Sequence, residues 1–137
     1  MTKGIQYAIA AVQDVMLTLP GIRYAPDNPV DMAAQAEAVA ICMAGTGLVN
    51  YSDGLTIYNP ITLRLWVTVA HKDTTRNDAA VIGYGDTVPG ALWSTIDLDG
   101  TVDSIEAVRI AGYGPWTVNG MARYGWAFEI DVRITTC

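Results

Sequence analysis

The stretch YGWAFEIDVRITT, residues 124–136, alternates apolar and polar side chains over its whole length. Successive side chains of an extended strand point to opposite faces, so a period of two is the pattern of a half-buried β-strand. Trp126, Phe128, Ile130, Val132 and Ile134 fall on the inward face; Ala127, Glu129, Asp131, Arg133 and Thr135 fall outward. ITLRLWVTVA, residues 61–70, repeats the pattern, with Leu63, Leu65, Val67 and Val69 on one face and Thr62, Arg64, Trp66 and Thr68 on the other. Two such strands require a sheet with one face against a core.

Upstream the period changes. Ile5, Ala8, Ile9, Val12, Met16 and Leu19 recur at intervals of three and four, which predicts an amphipathic helix over Thr2–Leu19, with Gln6, Gln13 and Asp14 on other faces. Pro20-Gly21 ends it. Ile22–Ala25 reads as a short strand, and Pro26–Pro29 as a turn. The Ala-rich run from Asp31 to Ala38 favours a short helix that passes into a buried strand near Val39, Ile41 and Met43. Gly45–Pro60 is rich in Gly, Asn and Ser and reads as a long loop or protruding hairpin about Ser52-Asp53-Gly54.

After the polar connection His71-Lys72-Asp73, Asn77 can cap a short helix over Asp78–Ile82 that Gly83 and Gly85 break. Asp86 can cap a second, with Pro89 in its first turn and Val88, Leu92 and Ile96 inward. Val102–Tyr113 holds a strand with an irregularity near Glu106. The Gly112, Gly114, Pro115, Asn119 and Gly120 connection makes a hairpin with a bulged or open end. The whole is one α+β domain over residues 1–137: an antiparallel sheet packed with an N-terminal helix and one or two short helices.

Composition narrows the function. Of 137 residues, 51% are hydrophobic and 16% charged, enough for a core without metals or disulfides and apolar enough to suggest surface covered by a partner. No run is long enough to cross a bilayer, and the start does not resemble a signal peptide. The net charge of −6, with eight Lys and Arg spread along the chain, argues against tight nucleic-acid binding. Cys42 in an apolar run and Cys137 at the end do not make a disulfide framework and fit a reducing compartment. Asn50-Tyr51-Ser52 matches a glycosylation sequon, read here as chance.

Motifs for chemistry are missing. His71 is the sole histidine, with no nucleophile elbow or reactive cysteine context, and reads as a solvated loop residue. Zinc would need more Cys and His. DLDGTVDSIE, with Asp97, Asp99, Asp103 and Glu106, departs from the EF-hand pattern because Gly100 comes too early and Val108 stands where Glu belongs. Gly83-Tyr84-Gly85 and Gly112-Tyr113-Gly114 lack the residues that hold phosphates. We therefore expect no enzyme activity, no catalytic residue, no cofactor and no metal. What remains is a surplus of aromatic and apolar residues in awkward places: Tyr51, Leu55, Ile57 and Tyr58 about the polar segment, Trp66 on the polar face of its strand, and Trp116 after a Gly-Pro turn. Either a second layer covers the Trp66 face or these residues meet other subunits, where Trp and Tyr are enriched.

The order of elements, with the helix ending near Ala91-Leu92-Trp93, then DGTVDSIEAV and the closing Tyr-Gly-Trp-Ala-Phe-Glu-Ile-Asp-Val-Arg-Ile strand, resembles the tail terminator (tail completion) and related neck proteins of long-tailed bacteriophages. The likeness is one of layout over nearly the whole chain. It implies a structural virion protein, assembled in the host cytoplasm, that closes into a homo-oligomeric ring of six subunits. That ring would cap the tail-tube protein and face the head connector protein while DNA passes through without specific binding. Two alternatives stand beside it: another head–tail joining or tail-tube subunit, and a small-ligand-binding α+β module in which Trp66 and the tyrosines line a pocket.

Overall fold

The computed structural model describes residues 3–19, 22–24, 38–70, 74–118 and 121–136. Its order is α1 (Ile5–Leu17), β1 (Ile22–Tyr24), β2 (Ala38–Ser52), β3 (Leu55–Ala70), α2 (Thr74–Trp93), β4 (Ser104–Val118) and β5 (Met121–Thr136). The expected α+β architecture is present. Four long antiparallel strands and the three-residue β1 form one sheet in the order β1-β2-β3-β5-β4, with β1 parallel to β2.

The two strands that decide the fold lie side by side at its centre. Leu63 opposes Ile130, Leu65 opposes Phe128 and Val67 opposes Trp126. Phe128, Ile130, Val132, Ile134, Leu63, Leu65 and Val67 are buried in one cluster with Ala8, Val12 and Met16 of α1 and Val88 and Leu92 of α2. Both helices therefore cover the same face. Burying such side chains stabilises by about 1.5–3 kcal/mol each, which makes this pair of strands the foundation of the domain.

Several expectations change. Gln13, assigned to a polar helix face, is fully buried and donates from Nε2 to the Ala40 carbonyl at 2.8 Å. Gly83, Gly85 and Pro89 do not divide the middle helix, and Asn77 and Asp86 lie within it, not at caps. A single glycine in a helix costs about 1 kcal/mol and an interior proline about 3. Burial of Tyr84, Val88 and Leu92 on one stripe offsets this. Gly85 also has a specific reason: a Cβ there would come within 2.7 Å of the Trp126 indole. Ile96 is exposed, because the helix ends at Trp93 and Leu98 fills the core instead.

Gly45–Pro60, expected as a long loop or protruding hairpin, is a hairpin. It forms the distal halves of β2 and β3, joined by a two-residue turn in which Asp53 (φ 52°) and Gly54 (φ 79°) both take left-handed backbone. That is the hairpin turn whose twist matches flanking strands. Gly45 and Gly47 carry the close approach of β2 to β3; a Cβ on Gly47 would lie 2.6 Å from Ile61 Cδ1. Met43, expected in a buried strand, is exposed. The helix expected over Asp31–Ala38 and the Pro26–Pro29 turn fall largely or wholly outside the described residues.

The irregularity near Glu106 is present as a register shift between Ile105 and Ala107, and a second follows between Ile110 and Gly112. Gly112–Pro115 belong to β4 and not to a loose connection, since β4 and β5 pair as far as Val118 and Met121. Residues 119–120, His71 and Cys137 lie outside the described residues.

Candidate functional site

The face of the sheet away from the helices carries the residues that the core does not explain. Strand register sets its composition. Thr62, Arg64, Trp66 and Thr68 of β3 stand opposite Asp131, Glu129, Ala127 and Gly125 of β5. At one end this face is ionic. Asp131 accepts a hydrogen bond from Thr62 Oγ1 at 2.7 Å and a two-pronged one from the Arg109 guanidinium, whose Nη2 lies 3.0 Å from Oδ1. The guanidinium holds the Asp131 carboxyl below the usual carboxylate range, and Asp131 in turn raises Arg109. Glu129 sits 3.6 Å from Arg109 Nε.

The other end is aromatic. Val39 and Ile41 of β2 are fully buried there, with Trp66 and Trp116 packed against them. Trp116 reaches back over β5, donating from Nε1 to the Gly125 carbonyl at 2.9 Å. Its ring also lies against Gly112, where a Cβ would come within 3.3 Å of the indole. Ala127, assigned outward, is buried on this face beside the two indoles. Between the ionic and aromatic ends runs a cleft of about 130 Å³ lined by Arg64, Trp66, Ala111, Trp116, Ala127 and Glu129.

The six residues singled out from the sequence do not form one surface. Tyr51 stands near the tip of the β2–β3 hairpin, 79% exposed. Leu55 and Ile57 are half-buried beside it, and Tyr58 packs against the main core. Trp66 and Trp116 meet on the outer face. Sequence reasoning missed the exposed Leu48 and Val49 on the same hairpin, and Arg64 at the cleft. The signal for Arg64 was available: it shares a strand face with Trp66.

The β2 edge is the second feature. β1 pairs with β2 only at Ala38 and Val39, and among the described residues no strand pairs with β2 on that side beyond them. From Met43 to Ser52 the strand is exposed, apart from the half-buried Gly45, and carries no charged residue. Exposed sheet edges are ordinarily guarded by charge, proline or a covering element.

The acidic stretch does not converge on a centre. Asp103 receives Lys3 Nζ at 2.5 Å and Thr135 Oγ1 at 2.6 Å. Burial would raise its carboxyl, but these hydrogen bonds and the Lys3 charge outweigh burial and hold it below the ordinary range. Among the described residues no three His, Cys, Asp or Glu side chains gather as a metal site. Burial pushes the Cys42 thiol up, which removes the thiolate needed for reactivity. A larger cleft of about 300 Å³ between α1 and the 97–101 turn is lined by Tyr7, Asp14, Thr18, Asp99 and Thr101, and the two threonine hydroxyls are given to the Val15 and Leu98 carbonyls. Among the described residues no helix is long and apolar enough to cross a membrane. No family model matches the chain, and a search of curated proteins returns no match.

Proposed function

We propose that the protein is a structural assembly subunit that joins copies of itself through the β2–β3 hairpin, in the manner of a phage tail terminator or neck ring. The observation that carries this reading is the exposed, uncharged edge from Met43 to Ser52, with Leu48, Val49 and Tyr51 on it. Such an edge offers unpaired backbone donors and acceptors together with apolar side chains, the combination that takes up a further strand. Leu48, Val49 and Tyr51 are exposed and outside the buried core cluster, so pairing along this stretch leaves the core undisturbed. Where the neighbour offers a different surface to this edge, the contact is head-to-tail and closes into a ring when the rotation permits. The acidic balance suits a ring whose lumen repels phosphates and lets DNA slide past the tail tube and head connector.

Mass in solution over a range of concentrations tests the reading. We expect a ring-sized or concentration-dependent species, and Val49→Lys should weaken association at least about tenfold while leaving the monomer folded. A wild-type chain that stays monomeric, alone and with tail-tube protein, overturns the proposal.

A further inference from the structure

We propose that the cleft between Arg64 and the Trp66–Trp116 pair is a binding site for an aromatic carboxylate, a function independent of the assembly reading. The first support is charge. Lys3, Arg109 and Arg133 each lie within ion-pair distance of a carboxylate on Asp103 or Asp131. Among the described residues Arg64 makes no such pair, although it faces Glu129 directly across β3 and β5. Its stem runs along Gly45, where a Cβ would lie 3.5 Å from Cγ and Nε. A guanidinium left without a carboxylate in a chain with six more acids than bases is placed to receive an anion, and its planar fork matches a carboxylate with two parallel hydrogen bonds.

The second support is shape. Ala111 and Ala127 line the cleft beside the indoles and leave room that larger side chains would fill. Trp116 is held from both sides, its Nε1 hydrogen on Gly125 and its ring on Gly112. It therefore presents a fixed apolar wall and not a free donor. The volume of about 130 Å³ is close to the roughly 150 Å³ cavity that accommodates benzene, so the cleft has room for one aromatic ring. Aromatic faces favour offset or edge contacts with such a ring. Glu129 also lines the cleft and weakens the attraction of any anion to Arg64, so contact with the aromatic ring has to supply part of the binding.

The same chemistry can come from a free aromatic acid or from the carboxyl end of a polypeptide finishing in an aromatic residue. Proton–nitrogen correlation spectra of the full chain resolve the signals of its four tryptophan indoles. With phenylacetate we expect Trp66 and Trp116 to shift while Trp93 and Trp126 stay, with a dissociation constant on the order of 1 mM. Phenylacetamide, which has the ring without the charge, should bind at least about tenfold more weakly. Arg64→Gln, at an exposed position that preserves the fold, should impose the same loss. Acetyl-Gly-Phe with a free carboxyl, set beside phenylacetate, identifies the source: whichever binds tighter is the form the site takes. Equal binding of acid and amide overturns anion recognition, and absence of shifts at Trp66 and Trp116 at roughly 10 mM overturns the site.

Discussion

The two edges of the sheet are treated differently by the same chain. Along β4, Glu106 and Arg109 project into solvent, Pro115 has no amide hydrogen to offer, and two register shifts interrupt the ladder. Ile110 is 54% exposed there but stands next to Arg109. Along β2, register shifts also occur between Ala44 and Val49, yet ten residues from Met43 to Ser52 carry neither charge nor proline. Charge and proline are the devices that stop a sheet from recruiting foreign strands. Their presence on one edge and absence from the other argues that the β2 edge is meant to be covered.

The largest effect lies between the two edges. Phe128→Ala removes a fully buried ring from the strand on which both sides depend and should cost about 3–5 kcal/mol, a large share of a typical domain's stability. Glu129→Ala, on the other face of the same strand, should cost no more than about 0.5 kcal/mol. Chemical denaturation compares them, and equal losses would show that the faces are assigned the wrong way round.

A smaller effect tests how the β4 side is anchored. Asp131→Asn weakens the Arg109 fork and the Thr62 hydrogen bond, and because Arg109 is about half exposed the loss should be about 1 kcal/mol at neutral pH. The folded carboxyl titrates below its unfolded value, so its contribution is present above the ordinary pKa of about 3.9 and disappears as pH falls through the lower folded value. The gap between wild type and variant should therefore begin to narrow below about pH 4 and vanish once pH lies below the folded value. A gap that persists there would mean that the fork is not the source of the stability.

The smallest effect bears on the comparison most directly. Ile110→Lys adds a charge to the edge that is already guarded, and it should change stability by less than about 0.5 kcal/mol and leave association unaltered. Set beside Val49→Lys in the same sedimentation experiment, it separates the two edges. If both substitutions weaken association equally, the asymmetry drawn between them fails.

Periodicity made the central strands legible. Phe128, Ile130, Leu63 and Leu65 alternate in a way that only a half-buried strand explains, and Ala8, Val12 and Met16 likewise announce the helix that covers them. The Ser52-Asp53-Gly54 turn was also readable, because left-handed backbone at two successive residues is specific to a few residue types. These are local properties, carried by neighbours in the chain.

The rest depended on partners distant in sequence. Gly85 looks like a helix breaker until the Trp126 indole is laid against it. Gly45–Pro60 reads equally as a loop or a hairpin until β3 is seen held between β2 and the end of β5, where Tyr58 faces Ile134 and Ile57 faces Thr135. Trp66 and Trp116 were visible as misplaced aromatics, but their gathering with Ala127 and Arg64 about one cleft arises only when three strands come together. Side-chain period follows from backbone geometry and is written in each short stretch. Register, close approach and the pairing of charges follow from which strands are neighbours, and burial of the shared core decided that.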